Sequence, residues 1–423
     1  MAATLITGGD YTVELDTGEI EDGFTLGDAT KGRLGSTSFV LGGTTTFSDV
    51  SSLTTSIRIF RGRRRPIDQF PAGSISLQLR DNTDRDLDPY NEDSAFFNIS
   101  AEMPGLSPLR KIRVARNGTY IFQGRVAGYE YNYGEQNTAS VSGFDDLYLL
   151  AQTSLSEFTP IEQTSSDRIT AILDRSEVAF GANRDLTTTP VTTLGAYQIN
   201  AGTNTLAYLQ NVALKAEQGR LFMRASDNDL VFDNRIGNTI SAPAVEFGDV
   251  GAGVRYTELN IEYDADIVIN STAITRIGGT VQTASDATSI ATYFIQEYDD
   301  TSNLVSSDAQ ALTLAQYLLN PDPEPRFTGL TAYFGAIPNQ SDQDDVAFLE
   351  IGDTITIKRT FSTGTPAQIV EELAIEGIEH IIETSRGHTV SVFTSPTDVV
   401  YTFLLGDPIY GLLGIQDPQP VLT

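Results

Sequence analysis

The chain has 423 residues, 40% of them hydrophobic, and its 56 acidic residues outnumber the 27 basic ones to give a net charge of −29. This length predicts about three domains, and the negative charge excludes a general nucleic-acid-binding surface. The absence of cysteine excludes disulfides and thiol chemistry, and the absence of any long apolar run excludes a membrane helix.

The first predicted element is an extended N-terminal arm. Residues 1–45 are rich in Gly and Thr, with only short apolar runs that end at glycines. The start, MAATLITGGDY, lacks the basic and apolar regions of a signal peptide. We therefore expect a protein that is made in the cytoplasm and does not insert into a membrane.

A first β-domain is predicted at 46–150. Apolar and polar residues alternate there in runs separated by turn residues, which indicates antiparallel strands. The runs are SIRIF at 56–60, SISLQLR at 74–80, KIRVAR at 111–116, TYIFQGRV at 119–126 and NTASVSG at 137–143. Asn117 and Gly118, between two of these runs, are typical of a hairpin turn.

An α/β domain is predicted at 151–245, where the apolar period lengthens. SSDRITAILDRSEV at 165–178 and NTLAYLQNVALKAEQG at 204–219 carry apolar residues at helical spacing behind capping residues. The following RLFMRASDNDLVFDNR alternates on both sides of its central Asp-Asn-Asp. We predict helices packed on a small sheet.

A second β-domain with one inserted helix is predicted at 246–395. Its strands are predicted in ELNIEYD at 258–264, ATYFIQEY at 291–298, FTGLTAYF at 327–334, DTITIKRTF at 353–361, IVEELAIEGIEHII at 369–382 and HTVSVF at 388–393. The helix is predicted at 308–320, where Pro321 ends it. The last three strands repeat the order of elements that closes the first β-domain, which indicates either a domain duplication or a chance likeness between short strands.

The sequence offers few residues for catalysis. Its two histidines, His380 and His388, fall on neighbouring predicted strands, where solvated strand histidines are the alternative to a metal site or a general base. We find no HExxH, phosphate-loop or GxSxG motif. We therefore expect no enzymatic activity and no cofactor, with a glycosidase that uses two carboxylates as an alternative.

An acidic run, RDNTDRDLDPYNED at 80–93, is a candidate calcium site. It lacks the glycine and the final glutamate that an EF-hand loop needs at fixed positions. A looser calcium site, a solvated loop and a loop paired with arginines remain as interpretations.

A cluster of arginines precedes this loop in RIFRGRRRP at 58–66. Such a concentration of positive charge in an acidic chain indicates a designated partner. The candidates are a phosphate group, the nearby acidic loop and an acidic patch on a neighbouring subunit. We therefore predict that a subunit or partner interface contains Arg61, Arg63, Arg64 and Arg65.

The two ends of the chain contain similar segments. FTLGDATKGRLG at 24–35 and FLLGDPIYGLLG at 403–414 agree at seven of twelve positions, and the second lies in a predicted C-terminal arm at 396–423. The interpretations are two hairpins that dock on one kind of partner and two unrelated turns. The candidate interface residues are Phe24, Leu26, Asp28, Phe403, Leu405 and Asp407.

Several phrases resemble a known family. They are GRRRPIDQFPAGSISLQLRDNTDRDLDP, SPLRKIRVARNGTYIFQGRVAGYEY, LEIGDTITIKRTF, EGIEHII and the closing SVF. They resemble minor tail proteins that form the baseplate hub of long-tailed bacteriophages and of phage-like particles such as gene transfer agents. The resemblance spans about 45–395.

This resemblance implies a mainly β fold with an α/β insertion, made of two tail-tube-like β-barrels and a small α/β domain. It implies a homotrimer at the tail tip of a virion, assembled in the host cytoplasm, that presents six barrels to a hexameric distal tail ring protein. The other implied partners are the tape-measure protein and a tail fibre or spike protein, and DNA would only pass through the lumen. The 28 residues after Ser395 are too few for the peptidase, lysozyme or spike extension that some relatives carry. The alternative is a receptor-binding tail-tip module that holds a glycan on its tyrosines and phenylalanines.

Overall fold

The computed structural model describes residues 10–21, 44–65, 68–82, 85–98, 102–234, 243–263, 265, 267–323 and 325–396. The fold is mainly β, with 44% strand and 17% helix, which confirms that part of the prediction. The described residues form no closed barrel, so the arrangement of two barrels around an α/β domain is not confirmed. No helix within these ranges is long and apolar enough to cross a membrane.

The strands are numbered in chain order. The strands up to residue 144 are β1 (Tyr11–Glu21), β2 (Thr44–Asp49), β3 (Thr54–Gly62), β4 (Ser74–Arg80), β5 (Phe97–Asn98), β6 (Met103–Pro104), β7 (Lys111–Arg116), β8 (Thr119–Asn132) and β9 (Thr138–Phe144). Those of the middle region are β10 (Ser154–Leu155), β11 (Gln163–Thr164), β12 (Arg184–Leu186), β13 (Thr193–Leu194), β14 (Thr203–Asn204), β15 (Arg220–Met223) and β16 (Leu230–Asp233). The remaining ones are β17 (Val245–Gly248), β18 (Glu258–Glu262), β19 (Ser271–Arg276), β20 (Gln282–Ser285), β21 (Glu297–Asn303), β22 (Arg326–Tyr333), β23 (Thr354–Thr360), β24 (Gln368–Glu383) and β25 (Gly387–Pro396).

The helices are short. They are α1 (Leu147–Ala151), α2 (Ser165–Leu173), α3 (Thr205–Gln210), α4 (Ala287–Tyr293), α5 (Asp308–Tyr317) and α6 (Gln340–Ala347). A π-helical turn, Asn211–Ala216, continues α3 directly. The cap of α2 differs from the predicted one at Ser165, Ser166 and Asp167, which lie inside the helix: the N-cap is Thr164, whose hydroxyl accepts a hydrogen bond from the Asp167 N–H at 3.2 Å.

Two halves with the same strand order make up the largest sheet, which has 13 strands within the described residues. In the first half the neighbours are β3-β4-β9-β8-β7-β1, and β2 pairs outside β1. In the second half they are β18-β22-β25-β24-β23-β17. The order repeats in space and along the chain, which supports the duplication interpretation. One difference is that β17 runs parallel to β23, whereas β1 runs antiparallel to β7.

Strand β24 joins the two halves. Its first part, from Gln368 to Ala374, pairs with β23, and its second part, from Gly377 to Glu383, pairs with β3 of the first half. Both partners lie on the same edge of β24, because β25 occupies the other edge. The two halves therefore form one continuous sheet.

The hydrophobic side chains form three main cores. One lies in the first half and includes Leu77 and Phe122, and one lies in the second half and includes Phe247 and Ile378. The third core lies in the middle region, around α2 and α3. The buried side chains of the segment from β19 to α5 pack in this middle core, although the sequence analysis placed that segment in the second β-domain. The domain boundaries themselves stay a prediction.

Candidate functional sites: the arginine junction and the tyrosine surface

The arginine cluster divides into an inward and an outward pair. Arg61 is only 3% exposed, and its Nη1 donates to Glu350 Oε1 at 2.6 Å. It also donates to the Met223 carbonyl at 3.4 Å, so its guanidinium connects β3 to the middle region. Arg64 and Arg65 are exposed, with Arg64 above the Phe60 ring.

Glu376 is the centre of the inward contacts. Its carboxylate accepts hydrogen bonds from Arg63 Nε at 2.7 Å, from Arg220 Nη2 at 2.8 Å and from the Ser395 hydroxyl at 2.8 Å. These donors come from the first half, the middle region and the second half of the chain. We call Arg61, Arg63, Arg220, Glu350 and Glu376 the arginine junction.

The electrostatics of the junction follow from burial and pairing. Burial alone would raise the pKa of Glu376, but the charges of Arg220 and Arg63 outweigh it and lower this pKa to about 2. Burial lowers the pKa of Arg63. Nearby, burial raises the pKa of Asp145 to about 7, although its carboxylate accepts backbone hydrogen bonds. Glu376 is therefore charged at neutral pH, whereas Asp145 changes its protonation state close to neutral pH.

Two glycines allow the strands to meet at the junction. Gly62 ends β3 with φ +82, and a Cβ there would overlap the carbonyl oxygen of Glu376. A Cβ on Gly377 would overlap the carbonyl oxygen of Arg63, whose N–H donates to the Glu376 carbonyl at 2.8 Å. The close approach of β3 to β24 therefore requires glycine on both strands.

The arginines have different partners from those considered in the sequence analysis. Neither Glu350 nor Glu376 belongs to the acidic loop at 80–93. Arg65 pairs with Asp68 at 3.2 Å in its own turn. The prediction that these arginines form an interface stays a prediction, and the outward pair is the part that a partner could reach.

The interpretation of the two histidines as solvated strand residues is wrong. His380 and His388 are buried rather than solvated, at 0% and 3% exposure. His380 Nδ1 lies 3.1 Å from His388 Nε2, and the Tyr11 hydroxyl lies 2.7 Å from His388 Nδ1. Burial lowers the pKa of His380 to about 3 and that of His388 well below its usual range. Both imidazoles are therefore neutral at pH 7.

The acidic loop binds donors of its own chain. The Asp88 carboxylate accepts from the Tyr133 hydroxyl at 2.9 Å and pairs with Arg85 at 2.7 Å. Asp81 accepts from the Tyr131 hydroxyl at 2.6 Å. In the part of the chain that the structure describes, no group of three or more His, Asp or Glu residues could hold a metal ion.

Two exposed tyrosines lie at this loop, one within it and one hydrogen-bonded to it. Tyr90 is 86% exposed and Tyr133 is 65% exposed. Asp88 Oδ1 accepts from both the Tyr90 N–H and the Tyr133 hydroxyl, each at 2.9 Å, so the two residues are neighbours. The Tyr131 ring packs edge-on against Tyr133 at 4.9 Å and supports it. We call Tyr90 and Tyr133 the tyrosine surface.

The residues predicted at the two arms lie outside the described residues. They are Phe24, Leu26, Asp28, Phe403, Leu405 and Asp407.

Three residues of the arginine junction were not predicted from the sequence, namely Glu350, Glu376 and Arg220. Glu376 has a signal, because it interrupts the apolar run LAIEGI, the part of β24 that is buried on both sides.

The chain has the fold of phage tail proteins, which confirms the suspected resemblance at the level of fold. The 43 kDa tail protein of prophage MuSo2 from Shewanella oneidensis shares it with a TM-score of 0.57 and 15% identity, over 92% of this chain and 99% of that chain. The tail protein from Neisseria meningitidis MC58 shares it with a TM-score of 0.57 and 12% identity, over 91% and 97% of the two chains. No family model and no curated protein matches the sequence.

Proposed function

We propose that the protein is a structural component of a phage or phage-like virion, a trimeric baseplate hub at the tail tip. The observation that carries the proposal is the likeness to two tail proteins over nearly their whole length. The family phrases quoted above support the hub as the particular tail component. In this role the protein needs neither enzymatic activity nor a cofactor.

The repeated strand order supports the symmetry of the proposal. Each chain contributes two halves of equivalent topology, so three chains contribute six. A trimer could therefore match a hexameric distal tail ring on one side and a fibre or spike on the other. The hub would close the tail tube and open for the tape-measure protein and for DNA, and a lumen lined by this acidic chain would repel DNA rather than bind it.

The mass of the purified protein in solution tests this function. We expect a trimer, measured by light scattering or native mass spectrometry, that binds a hexameric tail ring protein as one trimer to one ring. A monomer that does not bind the ring would contradict the proposal. The same measurement on a variant with Arg64 and Arg65 changed to Ser tests whether the outward arginines contribute to either interface.

A glycan-binding tail-tip module is the second candidate, and the tyrosine surface favours it. Aromatic faces pack against the apolar faces of sugars, and neighbouring carboxylates and amides bind sugar hydroxyls. Asp86 and Asn91 belong to the same loop as Tyr90. A glycan array on which the wild type binds, and on which Tyr90→Ser with Tyr133→Ser does not, would favour this candidate. Binding that both proteins retain would exclude the tyrosine surface.

A further inference from the structure

An apolar loop projects from the small sheet formed by β20, β19 and β21. Phe294 follows α4 directly and is 82% exposed, and its neighbours Tyr293 and Ile295 are 37% and 59% exposed. We call Tyr293, Phe294 and Ile295 the apolar tip. Three consecutive large apolar side chains in water are unfavourable for an isolated chain, and exposed apolar groups of this kind mark interaction sites.

The backbone of the apolar tip is strained. Phe294 has φ +61 and ψ 173, a combination that is accessible almost only to glycine. A side chain as large as phenylalanine persists there only where the surrounding structure fixes the backbone. Glycine would fit this backbone better, so the fold of the loop does not explain why a phenylalanine occupies the position.

A buried asparagine fixes this backbone. Asn270 is 0% exposed, its Nδ2 donates to the Phe294 carbonyl at 2.7 Å, and its Oδ1 accepts from the Gln296 N–H at 2.8 Å. The same Nδ2 donates to the Ser289 hydroxyl of α4 at 3.1 Å. These hydrogen bonds fix the backbone of the apolar tip on either side of Ile295, which lowers the entropy cost of binding.

The charged residues that flank the apolar tip in the sequence are all acidic. From Ile277 to Pro325 the sequence contains no Lys, Arg or His, while it contains seven acidic residues, of which Asp286 and Glu297 flank the tip on either side. Arg276, the first basic residue before this segment, pairs with Asp308 at 2.6 Å. A partner that approaches the tip meets apolar side chains that are flanked along the chain by acidic residues only.

We propose that the apolar tip is a docking site for a partner protein that has an apolar pocket bordered by lysines or arginines. Complementary charge favours such a partner and an exposed aromatic side chain would anchor it. The same charge opposes a nucleic acid and an anionic bilayer.

A labelled amphipathic peptide of leucine and lysine tests the proposal, with a leucine and glutamate peptide of the same pattern as its control. By fluorescence anisotropy we expect the lysine peptide to bind the full chain and the glutamate peptide not to bind. Added salt should weaken the binding. Phe294→Gly should weaken it by at least about 30-fold, the loss typical of an aromatic anchor.

Thermal unfolding separates loss of the anchor from loss of the fold. Phe294→Gly relieves the strained backbone, so we expect its Tm to stay or rise by about 1–3 °C while binding is lost. Ile161→Ser is the matched control, because Ile161 is 75% exposed and belongs to the middle region, and it should bind as the wild type does.

Four outcomes would overturn the proposal. They are no binding of the lysine peptide, equal binding of both peptides, unchanged binding by Phe294→Gly, and an equal loss of binding in Ile161→Ser. Sedimentation with phosphatidylcholine vesicles is a further measurement. Vesicle binding that depends on Phe294 would assign the apolar tip to a bilayer instead of a protein.

Discussion

At the scale of single residues, Glu376 is the carboxylate on which the arginine junction depends. Glu376→Gln keeps its shape and removes its charge between Arg63 and Arg220. We expect the free energy of unfolding at pH 7 to fall by about 3 kcal/mol, because two buried guanidinium groups lose their counter-charge. Urea denaturation followed by circular dichroism measures this. Glu379→Gln in the same strand is the control and should change stability by less than about 0.5 kcal/mol.

The loss of stability caused by Glu376→Gln should depend on pH. The pKa of Glu376 is about 2 in the folded protein and 4.5 in a free side chain, so its contribution is fully present above pH 4.5 and is lost as pH falls toward 2. The stability difference between wild type and Glu376→Gln should therefore shrink through this range. A difference that stays constant from pH 5 to pH 2.5 would show that the variant acts through packing and not through charge.

The buried histidines produce a second pH effect. Burial lowers the pKa of His380 to about 3 and that of His388 well below its usual range, so as pH falls below 6.5 the unfolded chain binds protons that the folded chain does not. Stability should fall as pH falls, and Asp145, whose pKa is raised to about 7, opposes this in part. His380→Asn keeps a hydrogen-bonding group near Nδ1 and removes one titrating imidazole.

We expect His380→Asn to reduce the slope of unfolding free energy against pH, between pH 6 and 5, by about 1 kcal/mol per pH unit. Urea denaturation at several pH values measures the slope, with Glu379→Gln again as the control. A slope equal to that of the wild type would mean that His380 is protonated in the folded protein.

At the scale of elements, the approach of β3 to β24 depends on glycine. Gly62→Ala adds a methyl group against the Glu376 carbonyl, whereas Gly118→Ala adds one in open space at nearly the same φ, +83 instead of +82. Both substitutions have the cost of a left-handed backbone, about 1 kcal/mol. Gly62→Ala should cost about 1–3 kcal/mol more, because strands must shift.

The difference between the two variants isolates steric overlap from backbone preference. Urea denaturation measures the total cost, and hydrogen exchange of the β3 amides locates it. Equal costs for both variants, with protected β3 amides, would mean that β24 adapts to the extra methyl group.

Local patterns in the sequence predicted most strands and missed what depends on tertiary contacts. The alternating runs at 74–80 and 111–116 coincide with β4 and β7, because one face of each strand is buried. The predicted strand at 291–298 is wrong in its first part, which α4 occupies, while its last two residues begin β21. Its β-branched and aromatic residues favour a strand, but the Asp286 cap and the Asn270 contacts impose a helix and a loop. The sequence analysis also missed α6, because its polar sequence carries little apolar periodicity.

At the scale of the whole molecule, we expect the proposed hub to attach to its neighbours through the two similar arms. Deleting residues 403–414 should weaken binding to a tail ring protein while the trimer stays folded, because the deleted segment follows β25, the last strand of the described residues, in the sequence. Pull-down with the ring protein and the mass of the variant measure the two effects. Unchanged binding would mean that the likeness of the two segments is coincidental.

The pairing of β3 with β24 also has a consequence for synthesis. Arg63 and Glu376 are 313 residues apart in the sequence, so at translation rates of about 5–20 residues per second β3 waits roughly 15 to 60 s for its partner strand. During that time its outer edge offers unpaired N–H and C=O groups, which can pair with the edges of other nascent chains. Several ribosomes that translate one mRNA would bring many such unpaired strand edges close together. The yield of folded protein would then depend on translation speed and on chaperones that cover the edge of β3.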